Sequence, residues 1–231
     1  MSFRATESLA LQIAQHVGEQ IVSGDLVEGE RIQEMRIAAE LQVSRGSVRE
    51  ALLILQRRHL VEIFPRRGAV VAELSPHMIK GLYEIIVLIF SLIVRKTAEV
   101  WRQEDLAPFM NGVNDLQTAV QSRDIESFYN GSFDILRRAQ HFTNNPFLDD
   151  MLDDLQPSMQ RSFYLALQVN RRELDESYAF LKGVLDAVML RQGERAAELV
   201  EEFCLHQRNL VLESLLRAKQ IEMAWARRQR R

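Results

Sequence analysis

The stretch from Gln42 to Val71, QVSRGSVREALLILQRRHLVEIFPRRGAVV, places an amphipathic helix directly before a β-hairpin. Ser44 favours a helix start, because a serine hydroxyl accepts a hydrogen bond from the first-turn amides. Apolar residues then recur on one helical face: Val48, Ala51, Leu52 and Leu55. The β-branched runs LVEIF and GAVVAEL follow, and the turn residues Pro65-Arg66-Arg67-Gly68 between them predict a hairpin.

Two further helices are predicted before this stretch. Residues 7 to 23 have one apolar face, and Gly24 ends that helix. After a predicted loop, DLVEGERI, the segment QEMRIAAELQV indicates a second helix with four inward side chains: Met35, Ala38, Ala39 and Leu41. Three helices followed by a hairpin predict a winged helix-turn-helix, whose third helix fits the major groove of DNA.

The predicted DNA contacts lie at the start of the third helix and at the tip of the hairpin. Arginine binds guanine or phosphate, and hydroxyls and free first-turn amides bind phosphate. A glycine lets the backbone come close to DNA, and at a wing tip it suits insertion into the minor groove. The residues predicted on this basis are Ser44, Arg45, Gly46, Ser47, Arg49, Arg66, Arg67 and Gly68. The alternative is structural: Ser44 only caps the helix, and Arg57 and Arg58 only complement its dipole.

Charge is distributed unevenly along the chain. The segment from Arg31 to Arg67 contains eight arginines and four glutamates, which gives it a net charge of +4. Residues 76 to 215 carry 14 basic and 21 acidic side chains, a net charge of −7. A basic segment in an otherwise acidic protein indicates a nucleic-acid surface, although charge alone also fits a solvated helical face.

Beyond Ser75-Pro76 the pattern is helical. We predict helices at about 76–100, 104–122, 124–142, 146–168, 171–191 and 194–226. The fold is therefore expected to be mainly α, with a winged helix-turn-helix over 1–75 and an all-α bundle over 76–231. The apolar run Leu82 to Val94 contains Glu84 and is predicted to be a bundle core helix, too short to cross a bilayer.

Other sequence features suggest a cytoplasmic protein that is not an enzyme. Cys204 is the single cysteine, which fits a reducing compartment, and the N-terminus lacks the basic-then-apolar order of a signal peptide. The chain has no Ser/His/Asp grouping, phosphate loop or metal motif.

The segment from Leu9 to Leu74 resembles the DNA-binding domain of GntR-family bacterial transcription regulators, through RIQEMRIAAELQVSRGSVREALLILQRRHLVEIFPRRGAVVAEL. The resemblance places five residues where the family contacts operator DNA: Ser44, Arg45, Ser47, Arg49 and Gly68. Many members have an arginine just after the glutamate of helix two, where this chain has Met35. Arg36 then either takes over this contact from the next position, or the contact is lost.

Most of residues 78 to 216 resembles the effector and dimerisation domain of the FadR subgroup, through GLYEIIVLIFSLIVRKTAE, TNNPFLDDML and FLKGVLDAVMLRQGERAAELVEEFCLHQRNLV. In many members the resemblance implies a metal held by an aspartate and three histidines, and a small carboxylate held by an arginine. The positions that correspond to these residues here carry Ile86, Phe90, Asn130, Phe133-Asp134 and Leu181. Only His206 lies at or beside a ligand-histidine position, so we expect no metal.

The replacements Ile86, Phe90 and Leu181 are all apolar, which indicates an apolar effector such as a fatty-acyl thioester. The predicted effector residues are Ile86, Phe90, Phe133, Tyr164, Leu181 and His206. Three alternatives remain: side chains that simply fill the core, a small carboxylate bound with a metal, and a DNA-binding protein without an effector. We expect a homodimer on palindromic double-stranded DNA, since two-fold symmetry matches two half-sites.

Overall fold

The computed structural model describes residues 8–229, except for the side chains of residue 222 and residues 224–229. Residues 216–231 carry six basic side chains and one acidic side chain, and part of this basic segment lies outside the described residues. The elements before Ser75 are α1 (Leu9–Ser23), β1 (Arg31–Ile32), α2 (Glu34–Glu40), α3 (Arg45–Arg57), β2 (Val61–Phe64) and β3 (Gly68–Val71). The elements after it are α4 (Pro76–Val100), α5 (Leu106–Ser122), α6 (Ile125–Gln140), α7 (Pro146–Leu167), α8 (Glu173–Met189) and α9 (Gly193–Gln229). The mainly α fold with a winged helix-turn-helix and a helical domain is confirmed.

Two compact units make up the chain. The first contains residues 8–74 together with Met151–Arg161, which is the middle of α7. The second contains Ser75–Asp150 and the chain from Ser162 onward. The first unit is therefore assembled from two stretches that are far apart in sequence.

The apolar face predicted for α3 forms the centre of the first unit. Val48, Ala51, Leu52 and Leu55 are all buried, and they belong to one core cluster with residues of α1, α2 and the strands. In α2 the predicted inward set is partly wrong, because Met35 and Ala39 are exposed and Ile37 is the buried residue. Residues two positions from Ile37 are rotated by about 200° around the helix axis, so they face away from the core that Ile37 contacts.

The sheet has three strands in the order β1-β3-β2, both pairings being antiparallel. The predicted hairpin is present, with Phe64 opposite Gly68 and Val61 opposite Val71. The loop predicted for DLVEGERI is wrong at Arg31–Ile32, which pair with Val70 and Ala69. A strand of two residues is too short to produce a period-two pattern, so the sequence does not reveal it.

In the second unit the six predicted helices are present, with ends that differ from the predictions by a few residues. Ser75 caps α4 by accepting a hydrogen bond from the Met78 amide over 3.2 Å, and Pro76 occupies the first turn, where its missing N–H costs nothing. The C-terminal helix α9 packs along α4 and α8. The Tyr83 and Ser162 hydroxyls share a buried hydrogen bond of 3.0 Å.

Helix α4 is unusual in combining an apolar sequence with a large exposed fraction. It has 25 residues and a mean hydropathy of 1.9 in its most apolar window, and 28% of that window is buried. By length and composition alone the complete helix is able to cross a membrane, because it extends beyond the shorter apolar run Leu82 to Val94 at both ends. Ile85, Leu88 and Leu92 are exposed at spacings of three and four residues and form one stripe, the α4 stripe.

Candidate nucleic-acid interface and effector region

The first turn of α3 is fixed by Ser44. Its hydroxyl oxygen accepts a hydrogen bond from the Ser47 amide over 3.0 Å and lies 2.9 Å from the Ser47 hydroxyl. The backbone of Ser44 is extended while that of Arg45 is helical, so the cap defines where the helix begins. A methyl group placed on Gly46 would lie 3.5 Å from the Ser44 hydroxyl, an ordinary contact. A methyl side chain at position 46 would therefore meet no steric clash.

Arg45 and Arg49 share one acidic partner, Glu34 at the first position of α2. The Arg49 Nε donates to Glu34 Oε2 over 2.9 Å, and an Arg45 Nη lies 3.8 Å from the same oxygen. More than half of each arginine side chain is exposed, so both guanidinium groups are accessible to a phosphate or a base edge. The sequence did not identify Glu34 as part of this surface, because nothing in a linear pattern pairs it with residues 11 and 15 positions later.

The turn between β2 and β3 presents Arg66 and Arg67, both exposed. Arg66 and Gly68 have positive φ angles of 66° and 85°. At Gly68 this conformation favours glycine, because a side chain would be strained there. A methyl group at Gly68 would also lie 3.8 Å from the guanidinium of Arg31 on β1. The wing therefore has a third nearby arginine, Arg31. The sequence indicates this residue only through its position at the start of the basic segment from Arg31 to Arg67.

Arg36, the remaining predicted DNA contact, is exposed on α2. Its Nε donates to Glu40 Oε1 over 2.7 Å, one helical turn along the same helix. The hydrogen bond and charge of Glu40 raise the pKa of Arg36, so the guanidinium is fully charged at neutral pH. Exposed pairs of this spacing contribute little to stability, so this contact is easily exchanged for one with DNA.

The C-terminal end of α3 has a different role. Arg57 donates two hydrogen bonds to Asp154, from Nη2 at 2.6 Å and from Nε at 3.1 Å, and the Ser158 hydroxyl donates to the Arg58 carbonyl over 2.9 Å. Asp154 and Ser158 belong to the α7 segment of the same unit. These contacts attach the end of α3 to α7, whereas Arg45 and Arg49 at the beginning of α3 remain exposed.

Arg161 attaches the same α7 segment near the end of β3. Its guanidinium is buried and donates to the Ala72 carbonyl over 2.7 Å and to Glu28 Oε1 over 2.9 Å. Burial lowers the pKa of Arg161, and the charge of Glu28 offsets part of this effect. The Arg161 guanidinium still remains protonated at neutral pH, because the ordinary pKa of an arginine side chain is far above 7.

Aromatic rings from α6, α7, α8 and α9 touch one another inside the second unit. This aromatic cluster consists of Tyr129, Phe133, Phe163, Tyr164, Phe180 and Phe203. Phe163 is central to it, with ring centroids 6.1 Å from Phe133 and 6.0 Å from Phe203. Centroid separations of this size are typical of favourable aromatic packing.

Three of the six predicted effector residues lie in or against this cluster. Phe133 and Tyr164 both pack against Tyr129, and the His206 ring lies 5.6 Å from Phe180. Ile86 is buried and Phe90 half-buried on α4, while Leu181 is half-buried on α8. A cavity of about 490 Å³ is lined by none of the six residues; its walls are Arg123, Ile125, Leu167, Asn170, Arg171 and Leu174.

The ligand set that the resemblance implies for a metal does not fit this chain. Asp134 forms an ion pair with Arg137, and Phe133 is packed among aromatic rings. Neither Asn130 nor Leu181 offers an imidazole or a carboxylate. His206 faces two glutamates instead, Glu173 at 3.0 Å and Glu176 at 3.7 Å.

Comparison with known proteins gives matches in both units. The family model for bacterial regulatory proteins of the gntR family matches residues 9–71, and the FCD domain model matches residues 81–205. The gluconate operon transcriptional repressor of Bacillus subtilis (strain 168) is 26% identical over 182 residues, which cover 74% of this chain and 70% of the repressor. The HTH-type transcriptional regulator McbR of Escherichia coli (strain K12) is 26% identical over 206 residues, which cover 89% of this chain and 92% of McbR.

Solved structures share the fold. The structure of McbR from E. coli superposes with a TM-score of 0.78 at 24% identity, covering 91% of this chain and all of that chain. A GntR-type regulator from Rhodococcus sp. RHA1 gives a TM-score of 0.73 at 19% identity, covering 88% and 97%.

Proposed function

Since the chain belongs to the GntR family of bacterial regulatory proteins, with an FCD domain after its DNA-binding domain, we propose that it is a cytoplasmic transcriptional repressor. It binds a palindromic operator as a homodimer, and a small apolar effector controls its affinity for DNA. Family membership makes the chain a transcriptional regulator and not an enzyme. The dimer, the operator symmetry and the chemistry of the effector are our proposals.

The observation that carries the proposed mode of DNA binding is the arrangement at the start of α3. Ser44 fixes the helix start, and Arg45 and Arg49 extend from the first two turns with their guanidinium groups accessible. The free amides of a helix N-terminus add a partial positive charge at the same place. Arg66 and Arg67 of the wing supply a second basic contact, suited to phosphate or to the minor groove.

The α4 stripe supports the proposal of a homodimer. Leu88 is 68% exposed, and Ile85 and Leu92 lie one turn to either side of it. Burying such apolar surface contributes roughly 25 cal/mol per Å², so a helix of this composition gains by being covered. A second copy of the chain supplies a matching stripe through two-fold symmetry, and the same symmetry presents two winged helices to two half-sites.

The aromatic cluster supports an apolar effector. It joins four helices of the FCD domain through ring contacts, so a ligand that inserts among the rings changes the packing of all four. Such a ligand shifts the equilibrium toward whichever arrangement gives it more contacts. A fatty-acyl thioester has the required apolar chain. The gluconate operon repressor of B. subtilis and a further relative, the galactonate operon transcriptional repressor of E. coli (strain K12), which is 22% identical over 221 residues, have names that refer to sugar-acid operons. A small sugar acid is therefore the main competing effector class.

The experiment combines operator selection with ligand titration. Purified protein is used to select its preferred DNA from a random pool, and binding to that DNA is followed by fluorescence anisotropy at fixed salt. We expect protection of one palindrome, and release of DNA on addition of acyl thioesters but not of gluconate or galactonate. Release by a sugar acid only when Zn²⁺ is present would replace the apolar effector with the metal-dependent alternative. Equal affinity for all sequences contradicts the proposal of an operator-specific repressor.

The dimer is tested separately. Leu88→Glu places a charge in the centre of the α4 stripe, and we expect light scattering to show a monomer where the wild type gives a dimer. Lys80→Glu, an exposed substitution earlier on the same helix, is the matched control and leaves the dimer intact. A wild type that is monomeric at micromolar concentration, or a dimer that persists in Leu88→Glu, excludes this interface.

A further inference from the structure

Helices α8 and α9 bring one imidazole and two carboxylates together at the beginning of α8. Glu173 is completely buried, and its Oε2 and Oε1 lie 3.0 and 3.2 Å from His206 Nε2. Glu176 Oε2 lies 3.7 Å from the same nitrogen. One oxygen of each glutamate and one ring nitrogen of the histidine all lie within 4.8 Å of one another.

We propose that Glu173, Glu176 and His206 bind a divalent transition-metal ion such as Zn²⁺, which links α8 to α9. Carboxylate and imidazole ligands lie at 2.0–2.2 Å from Zn²⁺, so two such ligand atoms on a tetrahedral ion are about 3.4 Å apart. The separations of 3.0 and 3.7 Å from the His206 nitrogen to the two Oε2 atoms lie on either side of this value. The glutamate oxygens lie within 4.8 Å of each other, so the side chains move together when an ion is bound.

The hydrogen bonds around Glu173 leave one of its oxygens available for an ion. Its Oε1 accepts from the Ser177 hydroxyl over 2.9 Å and from Gln207 Nε2 over 2.8 Å. Among the hydrogen bonds of the described residues, Oε2 has only the His206 ring as partner. Donors that orient one carboxylate oxygen while the other binds the ion are a regular feature of metal sites.

Gln207 provides a second, independent observation. Its side chain is 2% exposed, yet its Oε1 has no hydrogen-bond partner among the described residues. A buried carbonyl oxygen without a donor is costly, so such an atom calls for a missing donor. The Gln207 amide lies beside the cluster, because its Nε2 donates to Glu173 Oε1 over 2.8 Å. Water bound to an ion is a donor of the kind that Gln207 Oε1 lacks, since three protein ligands leave at least one coordination position for water.

Charge balance also favours an ion over a simple ion pair. The carboxylates of Glu173 and Glu176 both lie near the same ring nitrogen of His206. A divalent cation balances the charge of two carboxylates. Half of the Glu176 side chain and about a quarter of the His206 side chain are exposed, which gives an ion a route from solvent. The proposed site departs from the expectation of no metal and differs from the one that the FadR-subgroup resemblance implies, since it shares with it only His206, at or beside a ligand-histidine position.

The test uses the full-length protein after treatment with EDTA and dialysis. Zn²⁺ and Mn²⁺ are titrated by calorimetry, bound metal is counted by elemental analysis, and the melting temperature is measured with and without metal. We expect one ion per chain and a rise in the melting temperature. Co²⁺ should give visible absorption bands that His206→Gln abolishes.

The variants separate a metal site from a structural ion pair. His206→Gln and Glu176→Gln are expected to weaken Zn²⁺ binding by roughly tenfold or more. Glu176 is half exposed, so its variant keeps the test valid even if substitution of the buried Glu173 prevents folding. His141→Gln and Glu126→Gln, both exposed on or near α6, are matched controls that keep wild-type binding. The proposal is overturned if the wild type takes up no Zn²⁺ or Mn²⁺, or if His206→Gln binds as tightly as the wild type; the cluster is then an ion pair only.

Discussion

The Arg49 side chain donates a hydrogen bond to Glu34 Oε2 over 2.9 Å, joining α3 to the first residue of α2. Because Arg45 also approaches this oxygen, one carboxylate holds two of the arginines proposed to meet DNA. Glu34 orients both guanidinium groups before DNA binds. Glu34 also competes with DNA phosphate for the two arginines, so substitution of either arginine and substitution of Glu34 have different effects on DNA binding.

Arg49→Ala and Arg45→Ala should each weaken operator binding. A lost arginine contact to a base edge costs about 1–3 kcal/mol and relaxes specificity at that base pair, whereas a lost phosphate contact weakens binding to all sequences and lowers the salt dependence. Anisotropy titrations with operator and random DNA at several salt concentrations distinguish the two roles. Arg217→Ala, an exposed arginine of α9, is the control. Wild-type affinity in Arg49→Ala would show that this residue serves only as the partner of Glu34.

Glu34→Gln should increase affinity for random DNA by about 1.4- to fivefold, since an exposed ion pair contributes roughly 0.2–1 kcal/mol and its loss frees both arginines for phosphate. The gain should be smaller on the operator, where orientation of Arg49 matters, so the ratio of specific to non-specific affinity falls. The measurement is again anisotropy with both DNAs. Equal changes on the two DNAs would show that Glu34 does not orient the arginines.

Arg161→Met should destabilise the first unit by about 2 kcal/mol, because two hydrogen bonds from a charged, buried donor are lost. For a unit of this size the change lowers the melting temperature by roughly 10 °C. Calorimetry follows the transition, and Arg217→Met controls for loss of an exposed arginine. An unchanged melting profile is the outcome that contradicts the structural role of Arg161.

Cys204 should be almost unreactive in the folded protein. Burial, with a smaller contribution from the charge of Glu201, raises the pKa of its thiol from 9.0 to about 12. The thiolate is the reactive form, and at pH 8 it is about one part in ten thousand. Labelling with a thiol reagent should therefore be slow in buffer and rapid in denaturant. Because the folded state holds this proton more tightly, the thiol's contribution to stability is complete below pH 9 and decreases as the pH rises toward 12. Fast labelling at pH 8 without denaturant would show that α9 opens readily.

The sequence predicts those features that depend on local periodicity. The buried face of α3, its cap at Ser44 and the helices of the second unit follow from residue spacing, and the structure has all of them. The sequence does not predict the strand Arg31–Ile32, because two residues are too few to show the alternation of apolar and polar side chains that indicates a strand. The pairing of Glu34 with Arg49 and that of Arg161 with Ala72 depend on tertiary packing across 15 and 89 residues. The arginines proposed to contact DNA could therefore be named in advance, whereas their acidic partner Glu34 could not.

The contribution of α7 to the first unit has a consequence for how the protein is made. Domains generally fold in order as the chain leaves the ribosome. Here the segment up to Leu74 emerges without Asp154, Ser158 and Arg161, which bind Arg57, Arg58 and Ala72 in the finished unit. The winged helix therefore reaches its complete set of contacts only after much of the second unit has been synthesised. A graft of this winged helix onto another regulator must carry matching α7 residues with it.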